Sequence, residues 1–139
     1  LDRNGITLGA HTATHVRLSE LNPEEASREI TESKAQIEEH LGHRIDHFAY
    51  PYGDLDESAA RRVREAGFRT AYSTRPGPNR HDTDPMLLRR IEVCGTDTLA
   101  RVLRKLKYGT NEAGLDVPLR YYWSRFTARL PSLSSSGRA

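Results

Sequence analysis

Cysteine is almost absent from this chain: Cys94 stands alone, so no internal disulfide forms, and whatever holds 139 residues together is non-covalent. It lies in the apolar-rich run Ile91-Glu92-Val93-Cys94, which reads as strand with a packed thiol, and the redox compartment stays open. Long apolar runs are missing too. No stretch approaches the roughly eighteen residues that would cross a bilayer. The opening residues, Leu1-Asp2-Arg3-Asn4-Gly5, lack the layout of a signal peptide. Aromatic residues make up only 7% against 29% charged, and mean hydropathy is -0.71, so the core must be modest. The 36% apolar content is nevertheless that of a folded domain and not of a disordered chain. Acidic residues are scarce in one part only. Residues 1–100 hold 13 Lys and Arg against 17 Asp and Glu, whereas residues 101–139 hold 8 against 2. Eight cations spread over a helix and a loop read as a solvated face, so no nucleic-acid partner is expected; peripheral contact of the tail with an anionic membrane surface is the alternative.

The length suits one domain, which the pattern assigns to residues 1–108, followed by a basic, poorly structured tail over 109–139. Residues 5–10 alternate Ile6 and Leu8 with Thr7 and Gly9, which predicts a short strand that delivers His11 at its end. Asn22-Pro23-Glu24-Glu25 has an N-cap, a proline at the first helical position and acidic residues in the first turn. The helix it opens carries Ala26, Ile30, Ile37 and Leu41 on one face and stops at Gly42. His47 to Tyr50 is the next strand, ended by Pro51-Tyr52-Gly53. Asp54 or Asp56 caps a helix through Val63 and Ala66, Gly67 ends it, and Phe68 to Ser73 is a third strand. Arg75 to Pro85 is a polar loop, and Leu88 to Cys94 a fourth strand. Thr96 or Asp97 caps a last helix whose Leu99, Val102, Leu103 and Leu106 form a stripe opposite Arg101, Arg104 and Lys105. Beyond Gly109 the pattern fades, apart from the aromatic patch Tyr121-Tyr122-Trp123, and Ser132 to Ala139 reads as a flexible end. Strands alternating with helices call for a parallel sheet with crossover helices, which places chemistry at the carboxyl ends of strands.

Two groups of residues sit at such ends. His11-Thr12-Ala13-Thr14-His15 puts two imidazoles four residues apart, where a tight loop or one helical turn brings both to one ion. A zincin helix is excluded, because it needs glutamate directly after the first histidine and this chain has Thr12. The second group is Phe48-Ala49-Tyr50-Pro51-Tyr52-Gly53, which taken alone is a strand and a turn.

In this order and at this distance the two motifs resemble the NodB homology domain of polysaccharide deacetylases, carbohydrate esterase family 4. Gly9-Ala10-His11-Thr12-Ala13-Thr14-His15 is similar to the family's H-[ST]-x-x-H metal motif, and the likeness runs on through the acidic helix, F-A-Y-P-Y-G, Ala66-Gly67-Phe68-Arg69-Thr70-Ala71 and Leu88-Arg89-Arg90-Ile91. It implies an α/β fold, a partial, distorted (β/α) barrel with a parallel sheet. It also implies a hydrolase that removes N-acetyl or O-acetyl groups from a carbohydrate polymer or lipid-linked glycan. By the same resemblance His11 and His15 hold a divalent metal, zinc in most of the family, the backbone N–H of Tyr52 supports the oxyanion, and Pro51 and Tyr52 contact substrate. The family points to bacterial cell-envelope or exopolysaccharide work without choosing a compartment.

Three departures mark the chain. It has no Asp-Asp pair, whereas the family's T-F-D-D motif supplies the general base and a third metal ligand; only ten residues precede His11, so that motif is expected upstream and this chain is expected to be inactive alone. The arginine of most relatives before the motif-three proline is Ala49. No L-x-x-H offers the late general-acid histidine, and His81, in the loop before Pro85, is the one histidine beyond the third motif and so the candidate for a catalytic role there. A different class of reading is a non-catalytic carbohydrate- or metal-binding remnant of the same fold.

Overall fold

A computed structural model describes residues 2–112, 114, 116, 117, 119–121 and 123. The expectations for the rest of the tail, including Tyr122 and the end from Ser132, lie outside the described residues. The chain divides into two compact units, Leu1–Glu92 and Val93–Ala139.

The first unit alternates strand and helix. Helix α1 (Pro23–Leu41) starts where the sequence marks it: the Asn22 side chain accepts from the Glu25 N–H, Pro23 occupies the first turn, and Gly42 ends the helix in the left-handed region at φ 74°. Strand β1 (His47–Ala49) follows, then helix α2 (Glu57–Glu65) and strand β2 (Thr70–Tyr72). The α2 cap is Asp56, whose carboxylate accepts from the Ala59 N–H at 2.7 Å. β1 and β2 pair in parallel, with Phe48 opposite Ala71.

The outer strands are shorter than their sequences suggest. Residues 5–10 contribute a single parallel bridge, Ala10 to Phe48, with Ala10 N–H donating to the His47 carbonyl and Ala49 N–H to that of Ala10. Leu88 likewise makes one parallel bridge to Tyr72, and residues 89–94 form no strand. Beyond the Leu88 bridge the Arg90 N–H still donates to the Arg75 carbonyl, at 3.1 Å, without forming a ladder. The order of parallel segments is still that of the chain: Ala10, β1, β2, Leu88. Cys94, expected to pack in the fourth strand, is exposed, because that strand does not form.

The core lies between this sheet and the two helices. Phe48, Tyr50, Ile30 and Val63 are fully buried, and the Phe48 ring meets those of Tyr50 and Phe68 at 5.3 Å each. Burying each such side chain contributes about 1.5–3 kcal/mol. Alternation in β1 sends Phe48 inward and leaves His47 and Ala49 half-buried, which brings the Ala49 carbonyl to the edge where His11 lies.

In the second unit, helix α3 (Leu99–Tyr108) is capped by Thr98 and ends at Gly109. The expected caps are corrected: the Asp97 carboxylate instead accepts from the Cys94 N–H and from Lys105 Nζ, at 2.9 and 2.7 Å. Burial on the helix also departs from the expected stripe. Lys105 is buried at 5% exposure, while Leu99, Leu103 and Leu106 are exposed at 74%, 57% and 57%. The cation is tolerated inside because the Asp97 carboxylate neutralises it, and that same contact holds the Asp97 carboxyl below its ordinary range.

Candidate active site

The bridge at Ala10 delivers His11 directly above the end of β1. Its ring Nδ1 lies 2.7 Å from the Ala49 carbonyl oxygen. A carbonyl only accepts, so Nδ1 carries the proton and Nε2 presents its lone pair, as metal-ligating histidines do when a backbone carbonyl fixes their tautomer. Four residues on, the chain has turned back and the His15 ring stands 4.8 Å from that of His11, centroid to centroid, at 69°. Both expected histidines are thus brought together.

The turn after β1 supplies the third member. Tyr52, 56% exposed, sets its ring edge-on to His15 at 4.8 Å, and the Arg17 guanidinium covers it at 4.3 Å. Among the described residues no hydrogen bond uses the Tyr52 N–H. Pro51 is buried beneath it. Gly53 shows why the turn closes so tightly: a Cβ there would stand 1.9 Å from Thr74 Oγ1 and 2.6 Å from the Thr74 nitrogen, and its φ is +68°.

Backbone strain gathers at the same place. Thr12, His15 and Tyr52 are the non-glycine residues with positive φ among those described, at 60°, 62° and 57°. Each costs roughly 1–2 kcal/mol relative to the right-handed region, and such strain collects where a functional geometry is held by its surroundings. Thr12 is buried, its hydroxyl donating to the His11 carbonyl at 2.6 Å. Behind the loop, the Glu29 carboxylate of α1 accepts from the Ala13 and Thr14 N–H groups.

His81 is exposed in the turn closed by Thr83 N–H to the Arg80 carbonyl, and among the described residues no hydrogen bond or ring contact joins it to His11, His15 or Tyr52. Arg17 and Glu29 were not legible as site residues. Arg17 reads as an ordinary surface cation, and the only trace of Glu29 is its spacing of three from Ala26 on the inward face of α1.

Tested against a divalent ion, the pair fits two positions of a ligand set: neutral imidazoles, close together, one with its tautomer fixed. Among the described residues no group of three His, Cys, Asp or Glu side chains converges as a complete set would.

A two-motif site at the carboxyl edge of a small parallel sheet, with helices crossing over between strands, defines a NodB-type α/β deacetylase fold. Residues 1–71 match the sequence profile of the polysaccharide deacetylases, more than half of the 139-residue chain, and the chain belongs to that family. YxkH of Bacillus subtilis (strain 168), whose description places it among the polysaccharide deacetylases, is 25% identical over 91 residues, covering 66% of this chain and 33% of its own length. The chain therefore spans about a third of that curated relative. Among solved structures, a polysaccharide deacetylase from Bacillus cereus superposes with a TM-score of 0.66 at 21% identity, over 76% of this chain and 33% of the other. The deacetylase PplD of Streptococcus pyogenes, in complex with acetate, gives 0.64 at 20% identity, over 68% and 42%. At this identity the likeness establishes the fold.

Proposed function

We propose that this chain is the histidine-pair portion of a metal-dependent hydrolase that removes N-acetyl or O-acetyl groups from a carbohydrate polymer or lipid-linked glycan. The observation that carries the reading is the convergence of His11, His15 and Tyr52, with ring separations of 4.8 Å on either side of His15. His11 and His15 are the residues that would hold a divalent ion, zinc by preference of the donor set, which when bound polarises the acetyl carbonyl and acidifies water. The Ala49 carbonyl keeps the His11 proton on Nδ1 and so keeps Nε2 available. The Tyr52 N–H is a fixed donor for the oxyanion of the tetrahedral stage, and its exposed ring offers a face to the sugar. Pro51, buried, holds that turn from below. His81 has no role in this scheme.

Two neutral imidazoles leave a divalent ion without a charge-balancing carboxylate and leave water without a base, and general-base catalysis is worth about 10²–10⁴ in rate. The test is amine release from a chito-oligosaccharide, with and without chelator. This chain alone is expected to release little. A longer chain carrying an Asp-Asp motif ahead of residue 1 is expected to be active, chelator-sensitive, and abolished by His11→Ala or His15→Ala. Chelator-resistant activity in the longer chain, or full activity in the shorter, would sink the proposal. The other reading is a non-catalytic metal- or carbohydrate-binding remnant of the same fold, and an inactive longer chain that still binds zinc would establish it.

A further inference from the structure

The two histidines are not held alike. His11 follows the Ala10 bridge, and its ring is tied to the Ala49 carbonyl. His15 has a left-handed backbone at φ 62°, and among the described residues no hydrogen bond reaches its ring. Apart from its ring contacts with His11 and Tyr52, its position relative to His11 depends on the three residues between them.

Those residues are gripped from behind by one side chain. Glu29 Oε2 accepts from the N–H groups of both Ala13 and Thr14, at 2.9 Å each, and Oε1 accepts from the Thr14 hydroxyl at 2.8 Å. Two consecutive amides after a left-handed residue, here Thr12, form a concave cradle for an anion, and the carboxylate fills it. Charge-assisted bonds of this kind are about twice as strong as neutral ones. The anchor itself is rigid: Glu29 sits within the nineteen-residue helix α1, next to the fully buried Ile30 and three residues from the buried Ala26. The carboxylate thus couples the loop to the core and offsets the strain at Thr12 and His15.

We infer that Glu29 is a positioning residue that fixes the separation of His11 and His15 by clamping the loop between them, a role that rests on the reading of these two as a metal pair. Both Glu29 carboxylate oxygens are engaged by the loop. It acts through the loop, as the outer partners of metal ligands do, whose loss weakens metal affinity roughly 10- to 100-fold.

The experiment is a calorimetric zinc titration of the 139-residue chain, of Glu29→Ala, of Glu29→Gln and of His15→Ala, with amide hydrogen exchange at Ala13 and Thr14 and circular dichroism on each. Glu29→Ala is expected to keep its helix content, to weaken zinc about 10- to 100-fold, and to speed exchange at those two amides. Glu29→Gln is expected to recover most of the loss, since its carbonyl can serve both N–H groups and the Thr14 hydroxyl can turn to accept from its amide. Should Glu29→Ala not fold, Glu29→Asp, which withdraws the carboxylate by one methylene, takes its place with the same expected direction. Zinc uptake that needs His15 but is equal in the parent chain and in the folded Ala or Asp variant overturns this inference and leaves the metal pair standing. Unchanged amide exchange at Ala13 and Thr14 in the folded Ala or Asp variant overturns this inference whatever the zinc affinity, and no zinc uptake even by the longer chain carrying the Asp-Asp motif overturns the metal pair and the inference with it.

Discussion

The Arg17 guanidinium lies 4.3 Å above the Tyr52 ring while the His15 imidazole meets the same ring edge-on. The loop that carries the second histidine therefore also holds the side chain expected to face substrate. A double-mutant cycle of Arg17→Ala and Tyr52→Leu, read by urea unfolding, is expected to give a coupling of about 0.5–1 kcal/mol, the size of an exposed cation–π contact. Strict additivity would mean that the two side chains do not act on one another in solution.

Gly42 and Gly53 separate a conformational cost from a spatial one. Both have positive φ, 74° and 68°, but a Cβ at Gly42 meets nothing within 4 Å, whereas at Gly53 it runs into Thr74. Gly42→Ala should lose about 1 kcal/mol. Gly53→Ala should lose that plus a further 1–3 kcal/mol, roughly, from overpacking. Equal losses in urea unfolding would show that the Tyr52 turn yields freely.

Stability should fall on both sides of a plateau in pH. The Ile45 N–H lowers Glu38 from its ordinary 4.5, and the Met86 N–H, followed by Arg64, lowers Asp84 from 3.8. Their contributions are complete above those values and are lost as pH falls through the lower folded ones. His43 is raised from 6.5, first by its bond to the Arg44 carbonyl and then by Asp2, so its contribution is complete below 6.5 and lost as pH rises through the higher folded value. The urea midpoint is expected to be flat between 4.5 and 6.5. Asp84→Asn should soften the acid limb and His43→Gln the alkaline one; unchanged limbs would rule these groups out.

Tyr50 is fully buried and donates its hydroxyl to the Met86 carbonyl at 3.0 Å, and burial pushes its phenol well above the ordinary 10. Alkaline titration followed by phenolate absorbance is expected to show this tyrosine ionising only as the chain unfolds. Tyr50→Phe should cost about 1–3 kcal/mol, because the Met86 carbonyl is then left buried without its donor.

Sequence alone determined the helices of the first unit and singled out the histidine pair, because both are written in local rules. Asn22-Pro23 with Gly42 bounds α1 by capping chemistry that needs no partner. The spacing of His11 and His15, read with F-A-Y-P-Y-G, carries the family by residue type and order alone. Tertiary structure decided what depends on neighbours. Residues 5–10 and 88–94 have strand-like sequences, yet each makes a single bridge, since a ladder is made by its partner and not by propensity. On α3 it is Lys105, from the expected polar face, that is buried against Asp97, a contact no helical period encodes. Glu29 and Arg17 became part of the site only when α1 and the Tyr52 turn were folded against one loop, which joins residues distant in the chain by geometry that a linear pattern does not contain.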